Sequence, residues 1–203
     1  LSIQQEQIAG IVIGTRPDCL PEELFPVLKK LSQKTFVSIE LGIQSFSDKH
    51  LVFLNRRHTV SDAVDAIKNL NEKSGVNVGI HLMFGLPDES EDFIIETAHK
   101  INQLAVDNVK LHNLHVLTNT PLEKMYLKGS FKPIELEPYA EKVITFLKHL
   151  SPEIAVQRLA AVAARWDELV APRWTKERMR PSQFIQSEMK KNNFYQGMCF
   201  QKK

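Results

Sequence analysis

The chain has 203 residues, 43% of them hydrophobic and 25% charged, with a formal net charge of +2. This is enough for one domain with a sizeable core, in the composition of an ordinary soluble globular protein. No apolar run approaches the roughly 20 residues that span a bilayer, so a membrane-spanning helix is excluded.

The opening Leu1-Ser-Ile-Gln-Gln-Glu-Gln7 lacks the basic segment and apolar core of a signal peptide. It does not begin with Met, and the chain reads as an excised portion of a longer protein. Cys19 and Cys199 stand far apart and make neither a disulfide framework nor a metal clip, which fits a cytoplasmic location.

In chain order, the first strand pattern is Gly10–Arg16, where Ile11 and Ile13 oppose Val12, Gly14 and Arg16. A helix is predicted from Pro21 to Leu31, with Leu24, Leu28 and Leu31 on one stripe and Pro and Glu residues in its first turn. Phe36–Phe46 alternates cleanly: Val37, Ile39, Leu41 and Ile43 share one parity, Ser38, Glu40, Gly42 and Gln44 the other. A strand sends successive side chains to opposite faces, so one face is greasy and the other polar. The next helix runs from Ser61 to Leu70, with Ser61 as N-cap. In Asn77–Phe84, Val78, Ile80, Leu82 and Phe84 oppose Asn77, Gly79, His81 and Met83. A helix from Ser90 to Leu104 follows, then the strand Val109–Leu114, with Val109 and Leu111 against Lys110 and His112. The last predicted elements are a helix over Glu135–Leu150, a fifth strand over Glu153–Arg158, an irregular stretch over 160–174 and a helix over Lys176–Lys191.

Strands separated by helix-length connections are expected to be parallel, with right-handed crossovers. A parallel sheet covered on both faces carries continuous apolar strands, but these strands alternate. The expected fold is therefore α/β: a partial TIM-type barrel with a polar interior, too short for the about 250 residues of a complete one. Residues 1–150 form its barrel part and 151–203 a C-terminal extension. Ala171–Lys203 carries a net charge of +6 and the remainder −4. A basic segment of this kind is either a solvated helical face or a nucleic-acid contact.

Active sites of such barrels lie at the C-terminal strand ends. There the chain carries Gly14-Thr-Arg-Pro-Asp-Cys19, Glu40-Leu-Gly-Ile-Gln-Ser-Phe46, Asn55-Arg-Arg-His58, His81-Leu-Met-Phe-Gly-Leu-Pro87 and Leu114-His-Val-Leu-Thr-Asn-Thr-Pro121. Together with Val156-Gln-Arg158 and Tyr195-Gln-Gly197, these motifs resemble the radical S-adenosylmethionine (SAM) enzymes. The nearest branches are the bacterial elongator-like and coproporphyrinogen-dehydrogenase types. The resemblance implies a barrel of six strand–helix units, of which about four are present here. It also implies 5′-deoxyadenosyl-radical chemistry. SAM would be a cofactor, with a [4Fe–4S] cluster held by three cysteines upstream of Leu1 and a reductant protein such as flavodoxin or ferredoxin. Without that cysteine motif the isolated chain is expected to be inactive.

The resemblance assigns roles to particular residues. Gln44 contacts the cofactor ribose or amino-acid part, and Glu40, one layer deeper, orients polar groups. Arg56 pairs with the SAM carboxylate, and His81 stands at a ribose contact. Gly85 and Leu117 border the adenine. Arg16, His112 and His115 face the substrate side. Several elongator-like relatives modify tRNA, so a tRNA contact through the basic segment is expected; an exposed sheet edge leaves a homodimer open.

Other readings of the same residues stand beside these. Glu40 and Arg16 could form a structural ion pair. Glu40 and His81 could be the acid–base partners of a non-radical lyase or isomerase, and the chain could be a non-catalytic RNA-binding protein. His112 and His115, three apart on a strand, would face opposite sides and share no metal. Arg57 and His58 read as surface residues, Cys19 as a small buried or reduced thiol, and Trp166, Trp174 and Phe184 as core or packing residues. No metal ligands are assigned within the chain.

Overall fold

A computed structural model describes residues 9–163 and 165–201. The opening segment and the terminal Lys202 and Lys203 of the basic run lie outside the described residues. The elements are β1 (Gly10–Thr15), α1 (Leu24–Ser32), β2 (Phe36–Gln44), α2 (Asp48–Phe53), α3 (Val60–Ser74), β3 (Asn77–Phe84), α4 (Glu91–Asn102) and β4 (Asn108–Asn113). There follow β5 (Val116–Leu117), α5 (Pro121–Leu127), α6 (Leu136–His149), β6 (Ala155–Arg158), β7 (Leu169–Ala171) and α7 (Arg180–Lys191). Five strands form one sheet in the order β1-β2-β3-β4-β6, and β5 and β7 form an antiparallel pair. β2 runs parallel to both β1 and β3, as the helix-length connections require.

The chain divides into two compact units. The first comprises residues up to Leu82 together with Lys100–Lys110 and Glu153–Ala155. In it α1 packs on α3, burying Phe25 and Leu28 of one helix and Ile67 and Leu70 of the other. The N-cap of α3 stands two residues before the predicted Ser61. Thr59 is the N-cap, in a reciprocal capping box with Asp62, and left-handed Gly75 ends the helix. The apolar parity of β2 is buried, with Val37 at 2% exposure and Ile39, Leu41 and Ile43 at 0%, and Ser38 and Glu40 on the polar parity are buried too.

A polar network crosses the N-terminal ends of three strands in this unit. Ser38 donates to Asn77 Oδ1 at 2.9 Å, and Asn108 Nδ2 donates to the same oxygen at 2.8 Å. A Cβ on Gly79 would lie 2.5 Å from Asn108 Oδ1, so the amide occupies the notch that glycine leaves.

The second unit comprises Met83–His99, Leu111–Pro152 and Val156 onward. Its core includes Phe84 edge-on to Phe146 at 5.4 Å. Buried Tyr139 lies against Trp174 and donates its hydroxyl to the Leu159 carbonyl at 2.7 Å. Trp174 donates to the Ile134 carbonyl at 3.1 Å, which places it in packing as expected. The 160–174 stretch is less irregular than predicted, because β7 pairs with β5. α7 starts four residues later than predicted: a 3-10 turn occupies Arg173–Lys176, and Pro181 sits in the first turn of α7.

Candidate functional site

In the first unit, two polar layers lie on the even-numbered face of β2. The deeper one centres on Glu40, whose side chain is 9% exposed. Its Oε2 accepts from His81 Nε2 of β3 at 2.9 Å, and its Oε1 accepts from Lys110 Nζ of β4. Burial raises the Glu40 pKa, but the hydrogen bonds from Lys110 and His81 outweigh it and hold the carboxylate below its ordinary value. Glu40 is therefore an ionised bridge across three strands. The alternative Glu40–Arg16 pair does not form: Arg16 binds Asp18 instead, through Nε at 3.0 Å and Nη2 at 2.6 Å.

The upper layer lies at the C-terminal end of β2. Gln44 closes the strand with φ 64°, a left-handed conformation uncommon outside glycine. The β2–β3 register shifts between Leu41 and Gln44. Strained positions of this kind cluster at ligand sites. Gly42 makes room for the side chains that converge here: a Cβ on it would meet Gln44 Nε2 at 3.0 Å and Arg56 Nη2 at 3.2 Å. Arg56 Nη2 donates to the Gly42 carbonyl at 2.7 Å, while its buried Nε has no hydrogen-bond partner. Burial and the neighbouring Arg16 charge both depress the Arg56 pKa. Gln44, Arg56 and Arg16 thus belong to one electropositive end of the unit.

Two expectations, at His58 and Trp166, need correction. His58 is buried at 4% exposure, not a surface residue, with Nε2 on the Ile43 carbonyl at 3.3 Å. Cys19 is a free thiol at the surface, in line with the reduced alternative. Trp166 is 42% exposed, not packed in a core, and the Arg178 guanidinium lies over its ring. The sequence reading also gave no role to Lys110 or Asp18. Lys110 had a visible signal, since it shares the polar parity of β4, but its partner is 70 residues away.

The second unit holds the other assigned residues. Gly85 ends β3 with φ 89°, and a Cβ there would lie 2.5 Å from Ile134 Cγ2, so this turn demands glycine. Its N–H donates to Glu89 Oε2 at 2.8 Å. Glu89 escaped the sequence reading. Its side chain is 1% exposed, Lys142 is 3.8 Å away, and its Oε1 has no hydrogen-bond partner. Burial pushes its pKa up to about 7, against the pull of the Gly85 N–H and Lys142. Leu117 lies in β5, paired with Leu169. His112, on β4, accepts from Arg158 Nη2. His115 lies beyond the end of β4, so the opposite-faces argument does not apply to it; it pairs with Asn113 Nδ2 at 2.7 Å, and burial lowers its pKa.

Among the described residues no group of three His, Cys, Asp or Glu side chains is placed to hold a metal ion. The two cysteines are both exposed and belong to different units. An iron–sulfur cluster needs clustered thiolates, so the residues present do not fit one. SAM does fit this donor set at its carboxylate, which would satisfy the orphaned Arg56 Nε. No helix among the described residues is long and apolar enough to cross a membrane.

The family model for the Radical SAM superfamily matches residues 2–101, and that for the Radical_SAM C-terminal domain matches residues 106–191. The chain is 36% identical to uncharacterized protein MJ0486 of Methanocaldococcus jannaschii, over 98% of this chain and 62% of that protein. It is 32% identical to uncharacterized protein YtqA of Bacillus subtilis, over 97% and 61%. The chain thus spans about six tenths of the length of these relatives. A tRNA uridine(34) acetyltransferase of M. jannaschii is 30% identical over 73% of this chain and 27% of its own length. Among solved structures, Methanocaldococcus infernus Elp3 with an N-terminal deletion superposes with a TM-score of 0.76. At 24% identity, over 93% of this chain and 43% of that one, this likeness shows a shared fold, the partial β/α barrel.

Proposed function

Since the chain belongs to the radical SAM superfamily, we propose that its first unit grips the amino-acid end of SAM in an enzyme that modifies tRNA. The observation that carries this reading is Arg56: a half-buried guanidinium whose Nε is buried without an acceptor. A cation withdrawn from water requires an anion, and the planar fork suits the carboxylate of SAM. Gln44, held beside Arg56 by the gap at Gly42, hydrogen-bonds the ribose or amino-acid part. Glu40, fixed by His81 and Lys110, forms a charged floor that orients polar groups without moving. Bound beside a reduced cluster, SAM supplies hydrogen-atom abstraction. The chain's own residues bind, orient and shield.

The cluster ligands and the contact for flavodoxin or ferredoxin belong, in this reading, to parts of the full-length protein outside this chain. The chain alone would bind SAM but not cleave it. The acid–base alternative is weaker, because Glu40 is held ionised by two donors and makes a poor proton acceptor.

The tRNA reading is supported by the acetyltransferase relatives and by the exposed Arg173, Lys176, Arg178, Arg180 and Lys190 of the extension. Arg180 and Lys191 are partly offset by Glu177 and Glu188. Binding there would run through phosphates. The test of the cofactor site is SAM titration by calorimetry. Arg56→Ala and Gln44→Ala should each weaken SAM at least about tenfold, the range for a lost charge-assisted contact. Unchanged affinity in both rejects the site.

A further inference from the structure

The electropositive end of the first unit holds two guanidiniums, and the reading above uses one. Arg16 and Arg56 are close enough that the charge of Arg16 depresses the pKa of Arg56. Asp18 is the carboxylate that pairs with this end, and it is spent on Arg16, both of whose bonds to it come from one edge of the fork. Among the described residues, Arg56 donates to a carbonyl, that of Gly42, and not to a carboxylate. Even with a SAM carboxylate at Arg56, the oxyanion at Arg16 among the described residues is one the protein itself brings.

The Arg16–Asp18 pair is a poor candidate for holding the fold together. Its side chains are 41% and 26% exposed, and an ion pair so open to solvent adds little to stability. The backbone beneath is anchored independently. Cys19 N–H donates to the Arg16 carbonyl at 3.1 Å, closing the 3-10 turn Pro17–Cys19, and that turn packs on β2 and α3. Arg16 is thus an exposed fork on a fixed post. Asp18 presents to it the two-oxygen geometry that carboxylates and phosphates share. The Cys19 thiol, 4.0 Å from Asp18 Oδ1, is the further polar neighbour. On the strand side Gly14 leaves open space, with no atom within 4 Å of where its Cβ would be.

We propose that Arg16 is an oxyanion-specificity residue, that Asp18 is its built-in stand-in, and that the second substrate presents a carboxylate or phosphate that displaces Asp18. This rests on the reading of Arg56 as the SAM contact, since otherwise the two arginines would share one ligand. Asp18 then acts as an electrostatic filter. Neutral compounds leave the pair closed, and only an anion able to bridge the Arg16 fork opens it.

The test follows the arginine Nε–Hε signals of the chain by NMR, at constant ionic strength, with inorganic phosphate and with acetate as probes. One of the two anions should move the Arg16 signal saturably, and which one it is tells phosphate from carboxylate. Asp18→Asn should tighten that binding about threefold, by removing a competitor worth an exposed ion pair, and Arg16→Gln should abolish it. An Arg16 signal unmoved by both anions, or binding in Asp18→Asn no tighter than in the wild type, overturns the proposal. A parallel SAM titration read at the Arg56 signal separates the two ideas. Loss of the SAM response with the Arg16 response intact rejects the cofactor site alone.

Discussion

Replacing Glu89 by glutamine should make the protein more stable at alkaline pH. The carboxyl is buried, is 3.8 Å from Lys142, and has one oxygen with no hydrogen-bond partner. Its pKa rises from 4.5 to about 7 on folding. The folded chain therefore holds the Glu89 proton more tightly than the unfolded chain. Below about pH 4.5 both states are protonated and the full stability is present. Between about pH 4.5 and 7 only the folded state keeps the proton, so stability falls as pH rises, and above about pH 7 the loss is complete. At about 1.4 kcal/mol per unit, the shift amounts to about 3 kcal/mol. Glutamine keeps an acceptor for the Gly85 N–H and carries no charge, but it adds an amide that needs partners of its own. The net gain at pH 8 should be about 1–2 kcal/mol, with no gain at pH 5. Urea denaturation of both proteins at pH 5, 6, 7 and 8 reads this directly. The difference between the two curves removes histidines and other groups that titrate in both. A difference that does not change with pH would refute the assignment of a buried, destabilising charge at Glu89.

Two further outcomes follow from the geometry. Gly85→Ala should cost about 2–4 kcal/mol, because a left-handed backbone meets a Cβ contact of 2.5 Å with Ile134. Gly129→Ala, equally left-handed at φ 71° but in open space, should cost only about 1–2 kcal/mol; equal losses in thermal melts would show that the close packing at Gly85 is unimportant. For tRNA, a filter-binding series over salt should show a steep log–log dependence. Lys176→Ala combined with Arg178→Ala should lower its slope by up to about 2; an unchanged slope removes the extension as the contact.

The strand faces were legible in the sequence because parity is a local property. Alternation along β2 and β3 named the apolar sets, which are buried, though Ser38 and Glu40 on the polar parity are buried as well. Parity does not say what covers a face. Val12 and Ile13 of β1 are 59% and 38% exposed, because β1 is at the edge of the sheet and lacks a second neighbour among the described residues. α2 and α5 were missed, since helices of 6 and 7 residues are too short to show a periodic stripe. A motif singled out Gln44 and Arg56, and the structure brings the two side chains together beside Gly42. Glu89 was not singled out, because five residues of turn chemistry give no hint that packing against α6 will remove its carboxyl from water. Asp18 was overlooked for the opposite reason: its partner is two residues away, and an adjacent acid and base are normally unremarkable at a surface.

The amide chain Ser38–Asn77–Asn108 lies at the strand ends remote from Gln44 and Arg56. It acts as an index mark for the sheet. Sliding β3 by a single position would bring Val78 or Ile80, each with a branched side chain, to the notch that Asn108 needs and Gly79 provides. Alignment is thus secured at the ends remote from Gln44 and Arg56, which leaves the residues at the opposite ends free to vary while the strands stay in step.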